Sequence, residues 1–314
     1  MKGLVILMKK KIVAFALLFC MLITVSAKAS ASSTGNAEKA TGASYGQGYI
    51  VFGEDLSADQ KKTVLNLLGV VEEELPQYKI LTVSNNEEHK YLDAFVDKDK
   101  IGTKAFSSVK FIPKAPGTGL KITTHNIDYC TVSMYQNALI TAGVQDAEVV
   151  IAAPFDLSGT AALIGIVKAY CDMTGEVLDE QVLMIATNEL VLTGKLGTYL
   201  GDTDKVAEFI AYAKQLVISE DLESEEEIRN AVKEAAKEFD MELTEDQTTQ
   251  VVNLLKAIAK CDIDPHALAQ QATDMYNALK AMGIDLDSMD ANSIIDLIKR
   301  FFQEILDFLT GLFS

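Results

Sequence analysis

The stretch from Thr131 to Tyr170, TVSMYQNALITAGVQDAEVVIAAPFDLSGTAALIGIVKAY, constrains the fold of this chain more than any other. Tyr135, Ala138, Leu139 and Ala142 recur at helical spacing, and Gly143 ends that helix. Val149-Val150-Ile151-Ala152-Ala153 is a continuous apolar run, as expected of a strand covered on both faces. Gly159 to Tyr170 is apolar nearly all round, with Lys168 as its charge, which predicts a buried helix. Gly165 and the neighbouring alanines allow close approach to a sheet. Helix, strand, turn and helix in this order form the centre of an α/β domain. The polar turn Asp156-Leu157-Ser158-Gly159-Thr160 should project from the strand end.

Residues 1–31 read as a signal peptide. Lys9, Lys10 and Lys11 form a basic region, Ile12 to Val25 an apolar one, and Ala27-Lys28-Ala29 a small-residue cleavage site, with Ala29-Ser30-Ala31 as the alternative. The apolar run is shorter than the roughly 20 residues that a spanning helix needs. The expected location is therefore extracellular or at the cell envelope, with no membrane span after signal removal. Met8 is an alternative start to Met1. Without residues 1–29 the chain carries 23 Lys and Arg against 45 Asp and Glu, a net charge of −22. That excludes the clustered basic footprint of a nucleic-acid binder. Cys130, Cys171 and Cys261 remain, too few and too odd in number for a disulfide framework. One bridge is chemically open, and isolated half-buried thiols are the favoured reading.

Residues 32–48 are rich in Ser, Gly, Ala and Thr and read as a flexible lead-in. Tyr49 to Phe52 is a short strand, and Ser57-x-x-Gln60 is a capping box opening a helix over Val64, Leu65, Leu67 and Leu68. Lys79 to Val83 is a second strand, followed by the capping box Ser84-x-x-Glu87. Alternation over Lys104 to Ile112 predicts a third strand, and Leu120 to Thr124 a fourth; the Pro- and Gly-rich turn between them predicts an antiparallel hairpin. Beyond Val177 strand signals give way to helices at 179–192, 203–218, 223–239, 244–260, 265–282 and 291–313. The expected architecture is an α/β domain over 49–218, a mixed sheet with flanking helices, followed by an all-α C-terminal region over 219–314. The boundary is placed at 219–246, where twelve acids face three bases. The last helix is amphipathic, with a wide stripe from Ile294 to Leu312 that closes the core or docks on a partner or a second copy. Leu56 to Leu68 and Leu243 to Leu255 share a pattern that two capped helices explain without duplication.

Searches for reactive signatures return little. The chain has no G-x-x-x-x-G-K-[ST], no G-x-S-x-G and no H-E-x-x-H. Ser107-x-x-Lys110 matches a serine–lysine motif in spacing, but on an alternating strand the two side chains point to opposite faces. His89, His125 and His266 are scattered, so no metal site is expected. In α/β sheets ligands sit beyond the carboxyl ends of the strands. Glu54 and Asp55, Asn85 and Glu87, His125 and Asn126, and Asp156 and Ser158 follow four such ends. Of these, Glu54, Asp55, Asn85, Asn126, Asp156 and Ser158, together with Gly159 and Thr160, whose N–H groups open a helix and suit an anion, are the candidate ligand-binding residues. No cofactor is implied, and a hard divalent cation is the chemistry such oxygens would suit. The competing reading makes all of them caps and turn residues, with Ser158 simply capping its helix.

Four blocks in order carry a resemblance: Gly53-Glu54-Asp55-Leu56-Ser57-x-x-Gln60, Ile101 to Val109, Tyr135-Gln136-Asn137-Ala138-Leu139-x-Thr141-Ala142-Gly143, and Ala153-Pro154-Phe155-x-Leu157-Ser158-Gly159-Thr160-Ala161-Ala162-Leu163. Together they resemble the YpuA-like family of secreted Gram-positive proteins, a domain of unknown function. The resemblance spans essentially the whole mature chain and implies export, but no activity. The resulting expectation is a non-catalytic secreted or cell-envelope-associated binding or accessory protein. The alternative is a hydrolase or transferase acting on an envelope component through carboxylates at the strand ends.

Overall fold

A computed structural model describes residues 46–96, 101–261 and 263 of the 314. The signal segment, most of the lead-in and the helices expected at 265–282 and 291–313 lie outside the described residues. The three cysteines of the described part, Cys130, Cys171 and Cys261, are free.

Five strands build one sheet: β1 (Tyr49–Gly53), β2 (Lys79–Val83), β3 (Ser108–Pro113), β4 (Leu120–Ile127) and β5 (Ala147–Leu157), in the spatial order β2-β1-β3-β5-β4. β1 and β2 are parallel, as are β4 and β5, while β3 runs antiparallel to both β1 and β5. Four strands therefore share one direction. Their carboxyl ends lie on a single edge of the sheet, together with the amino end of β3.

The hairpin expected from 104–112 and 120–124 does not form. β5 lies between β3 and β4 and pairs with both. The reason is burial. Val149, Ile151, Ala152 and Ala153 are shut away from solvent, so the backbone of β5 must be paired on both sides. β4, with Lys121 and Thr123 exposed, can stand at an edge. The third strand also starts later than its alternation suggests, at Ser108 rather than Lys104.

The helices in chain order are α1 (Ala58–Leu67), α2 (Asn85–Leu92), α3 (Val132–Thr141), α4 (Thr160–Thr174), α5 (Glu180–Leu200), α6 (Thr203–Ser219), α7 (Glu225–Glu238) and α8 (Glu245–Ile258). Both expected capping boxes are present, Ser57 with Gln60 and Ser84 with Glu87. The similar patterns starting at Leu56 and Leu243 fold alike: Thr244 and Gln247 box the start of α8 as Ser57 and Gln60 do that of α1.

The two faces of the sheet are covered unequally. Val51, Val83, Val109, Phe111, Val149 and Ile151 form a core with α3, α4 and the first half of α5. A Cβ on Gly165 would lie 3.2 Å from a Val51 methyl, so this glycine sets how closely α4 approaches. On the opposite face Ile50, Phe52 and Ala152 pack beneath Val64, Leu65 and Leu68 of α1 and its C-cap. A further core joins α5 and α6 to α7 and α8 around Phe209, Ile228, Val232 and Leu255.

Between α3, α5 and α6 lies a fully buried ion pair. Lys214 Nζ is 2.9 Å from Glu189 Oε1, and neither side chain has any solvent exposure. Lys214 also donates to the Asn137 carbonyl at 3.0 Å and to Thr141 Oγ1 at 3.2 Å. The Thr141 hydroxyl donates to Glu189 Oε2 at 2.5 Å. All three ammonium protons are thereby used.

Candidate functional site

The common carboxyl edge brings the candidate residues to one side of the sheet, but engages most of them in holding its own turns. Asp55 Oδ2 accepts the Ala105 N–H at 2.8 Å, tying the turn after β1 to the segment entering β3. Asn126 takes a left-handed conformation, φ 56°, at an irregularity between β4 and β5. Its Nδ2 donates to the Ala153 carbonyl at 2.9 Å. Glu87 closes the capping box of α2 and meets Lys168 Nζ at 2.6 Å. Burial alone would raise the Glu87 carboxyl, but the bonds from Lys168 and Ser84 outweigh it and hold it below the ordinary value.

The turn expected at 156–160 is shorter than its polarity suggests. β5 continues through Pro154, Phe155 and Asp156 to Leu157, because Ile127 still pairs with Leu157. Nor does Ser158 cap α4. Gly159 occupies the N-cap at φ 84° and offers no side-chain bond. A Cβ there would lie 2.3 Å from the Tyr135 hydroxyl, so glycine is required on two counts.

The N-terminus of α4 receives its negative partner from another element. Glu88, on α2 and 4% exposed, reaches over to it. The Thr160 hydroxyl donates to Glu88 Oε1 at 2.5 Å, and Asn85 Nδ2 lies 3.5 Å from Oε2. A carboxylate beside the positive end of a helix is the same arrangement an external anion would adopt. Burial raises the Glu88 carboxyl above its usual range, against the hydrogen bonds from Thr160, Asn85 and the Ala161 N–H. Behind it the Tyr135 hydroxyl donates to the Gly159 carbonyl at 2.7 Å. Burial pushes the Cys130 thiol up, which leaves it a poor nucleophile.

Neither Glu88 nor Tyr135 is among the candidate ligand-binding residues read from the sequence, where Tyr135 marks only the apolar face of a helix. Glu88 sits one position past a capping-box glutamate on a short polar helix, where nothing local distinguishes it from a solvated surface acid. The residues of the edge that stay exposed are Glu54, Asp55, Asn126, Phe155, Asp156 and Ser158. Phe155 is 47% exposed and packs edge-on against Phe106, with ring centroids 5.3 Å apart. His125 lies on the α1 side of the sheet, in register with Ala152. Ser107, buried at 4%, has a hydroxyl with no partner among the described residues. Among those residues no group of three or more His, Cys, Asp or Glu is placed to hold a metal ion. No described helix is long and apolar enough to cross a membrane.

A family model described as a protein of unknown function, DUF1002, matches residues 52–275 and so takes in the end of β1, strands β2 to β5 and helices α1 to α8. The chain belongs to this family. The chain is also similar to the uncharacterized protein YpuA of Bacillus subtilis (strain 168), 34% identical over 272 residues that cover 87% of this chain and 89% of the relative. No solved structure matches the chain.

Proposed function

We propose that this DUF1002 protein is a non-catalytic binding or accessory protein, exported and held at or near the cell envelope. The observation that carries this reading is the engagement of the edge polar groups. Asp55, Glu87, Glu88 and Asn126 each bond to the chain's own backbone or side chains, where a hydrolase would need them free to meet substrate and water. What the edge leaves open is Glu54 and a lip of Phe155, Asp156 and Ser158, an apolar ring flanked by polar groups, which suits contact with a partner. Export rests on the basic and apolar regions and small-residue cleavage site of residues 1–31.

The test uses the mature chain and a purified envelope fraction from a Gram-positive cell. Co-sedimentation reports binding, and release of soluble reducing ends, amino groups or phosphate reports cleavage. The expected result is retention on the envelope without release, weakened when Phe155→Ala is introduced. Release that disappears in Asp156→Asn or His125→Gln would overturn the reading in favour of an envelope hydrolase.

A further inference from the structure

The outer face of the sheet, on the side of α1, carries a charge pattern opposite to the rest of the molecule. Residues 101–127 contain Lys104, Lys110, Lys114 and Lys121 and no acid, in a chain whose net charge is −17. Strand register sets their places. Ile112, Glu148 and Lys121 form one row across β3, β5 and β4, and Lys110, Val150 and Thr123 form the next. Lys114 Nζ meets Glu148 at 2.8 Å, and Lys121 and Lys110 add their fields to hold that carboxyl below its usual range. Three lysines thus share one carboxylate. Among the described residues Lys110 and Lys121 form no ion pair of their own. Lys121 and Thr123 are exposed on the edge strand β4, beyond α1, which packs over β1 and over Val150 and Ala152 of β5.

The helical end of the same molecule has the reverse problem. Glu220, at the C-cap of α6, and Glu234 and Glu238 of α7 crowd around the buried Tyr212, whose hydroxyl has no hydrogen-bond partner among the described residues. Burial and the charge of Glu234 raise the Glu220 and Glu238 carboxyls above their usual range, with only partial relief at Glu238 from Lys237. Other acids of α7 are matched: Glu225 pairs with Lys256 and Arg229. Glu220, Glu234 and Glu238 form no ion pair among the described residues.

From this complementarity we infer that two copies of the chain associate head to tail, the part of the outer face around Glu148 that carries Lys110, Lys114 and Lys121 in one copy receiving the Glu220–Glu234–Glu238 patch of the next. Each patch carries more charge than its own surroundings match and finds the complement on its neighbour. Ile112, half-buried in the row of Glu148 and Lys121, adds apolar contact. The pairing is heterologous, so it closes into a ring or extends as a chain of copies. It goes beyond the binding reading above and does not depend on it.

Sedimentation of the mature chain tests the pairing at about 0.01 M and about 1 M salt, where the screening length falls from roughly 30 Å to roughly 3 Å. The expected result is mass that rises with concentration at low salt and returns to the monomer at high salt. Lys110→Glu with Lys121→Glu, and separately Glu234→Lys with Glu238→Lys, should each lose association by tenfold or more while retaining the wild-type circular dichroism and melting profile. An equimolar mixture of the two variants should associate again, because each still carries one native face. A wild-type chain that stays monomeric at low salt, or a mixture that does not recover, overturns the inference. Salt-sensitive binding of polyglutamate by a chain that remains monomeric would assign the lysine face to a foreign acidic partner, and so would overturn it too.

Discussion

Replacing Lys214 by methionine is the sharpest perturbation the packing offers. The ammonium is wholly buried and gives its three protons to Glu189, the Asn137 carbonyl and Thr141. Removing it leaves the Glu189 carboxylate in the core with one remaining donor, the Thr141 hydroxyl, and leaves the Asn137 carbonyl without that partner. Breaking a buried pair in this way costs about 3–5 kcal/mol. Domains of this kind have about 5–15 kcal/mol of stability in all, so the single variant should be close to unfolding. Each lost kcal/mol lowers the melting temperature by about 2–4 °C at this size. The double variant Lys214→Met with Glu189→Leu removes both charges and fills the space with apolar atoms, and should recover most of the loss. Urea unfolding followed by circular dichroism supplies the cycle, with the slope checked for constancy. Equal and additive losses in the two single variants and the double would refute the argument. They would show that the residues contribute volume, not a mutually dependent pair.

Glu208, on α6 beside Asp204 and Asp202, is raised to about 7 by burial and by those two charges. The folded chain therefore holds a proton that the unfolded chain releases near the ordinary carboxylate value, and stability should fall as pH rises from about 4.5 to about 7. Glu208→Gln should raise the melting temperature at pH 8 and change little at pH 4; the same shift at both pH values would contradict this. Gly159→Ala should cost at least about 1–3 kcal/mol from backbone strain alone, with the contact to Tyr135 adding to it, and a melt within experimental error of the parent would refute the steric reading. Ser57→Ala removes the N-cap of α1 and should cost about 1 kcal/mol in urea unfolding, whereas Ser158→Ala, at a position that does not cap α4, should cost much less.

Local chemistry carried much of the fold in readable form. Serine followed three residues later by Gln or Glu can box a helix start because both groups are supplied within one turn; α1 and α2 begin where Ser57 and Ser84 place them. The apolar run at 149–153 marks a strand covered on both faces. The pairing partners of that strand were not readable. A proline- and glycine-rich connection between two alternating segments is equally consistent with a hairpin and with strands held one place apart. Burial of β5 at Val149 and from Ile151 to Ala153 decided between them.

The candidate site divides along the same line. That polar groups follow the strand ends is a matter of residue order, and the common direction of β1, β2, β4 and β5 brings them to one edge. Their hydrogen-bond partners come from elsewhere in the chain. Asp55 is taken up 50 residues away by Ala105, and the N-terminus of α4 meets Glu88 72 residues before it. By itself the sequence determined the elements with local causes: the caps, the buried strand, the apolar helix α4 and the acidity of the helical half. Only the tertiary structure decided strand order, the carboxylate at the head of α4 and the grouping of Lys110, Lys114 and Lys121 around Glu148. Those depend on which distant groups meet, and that is settled by the burial of the whole core, not by any segment's own propensity.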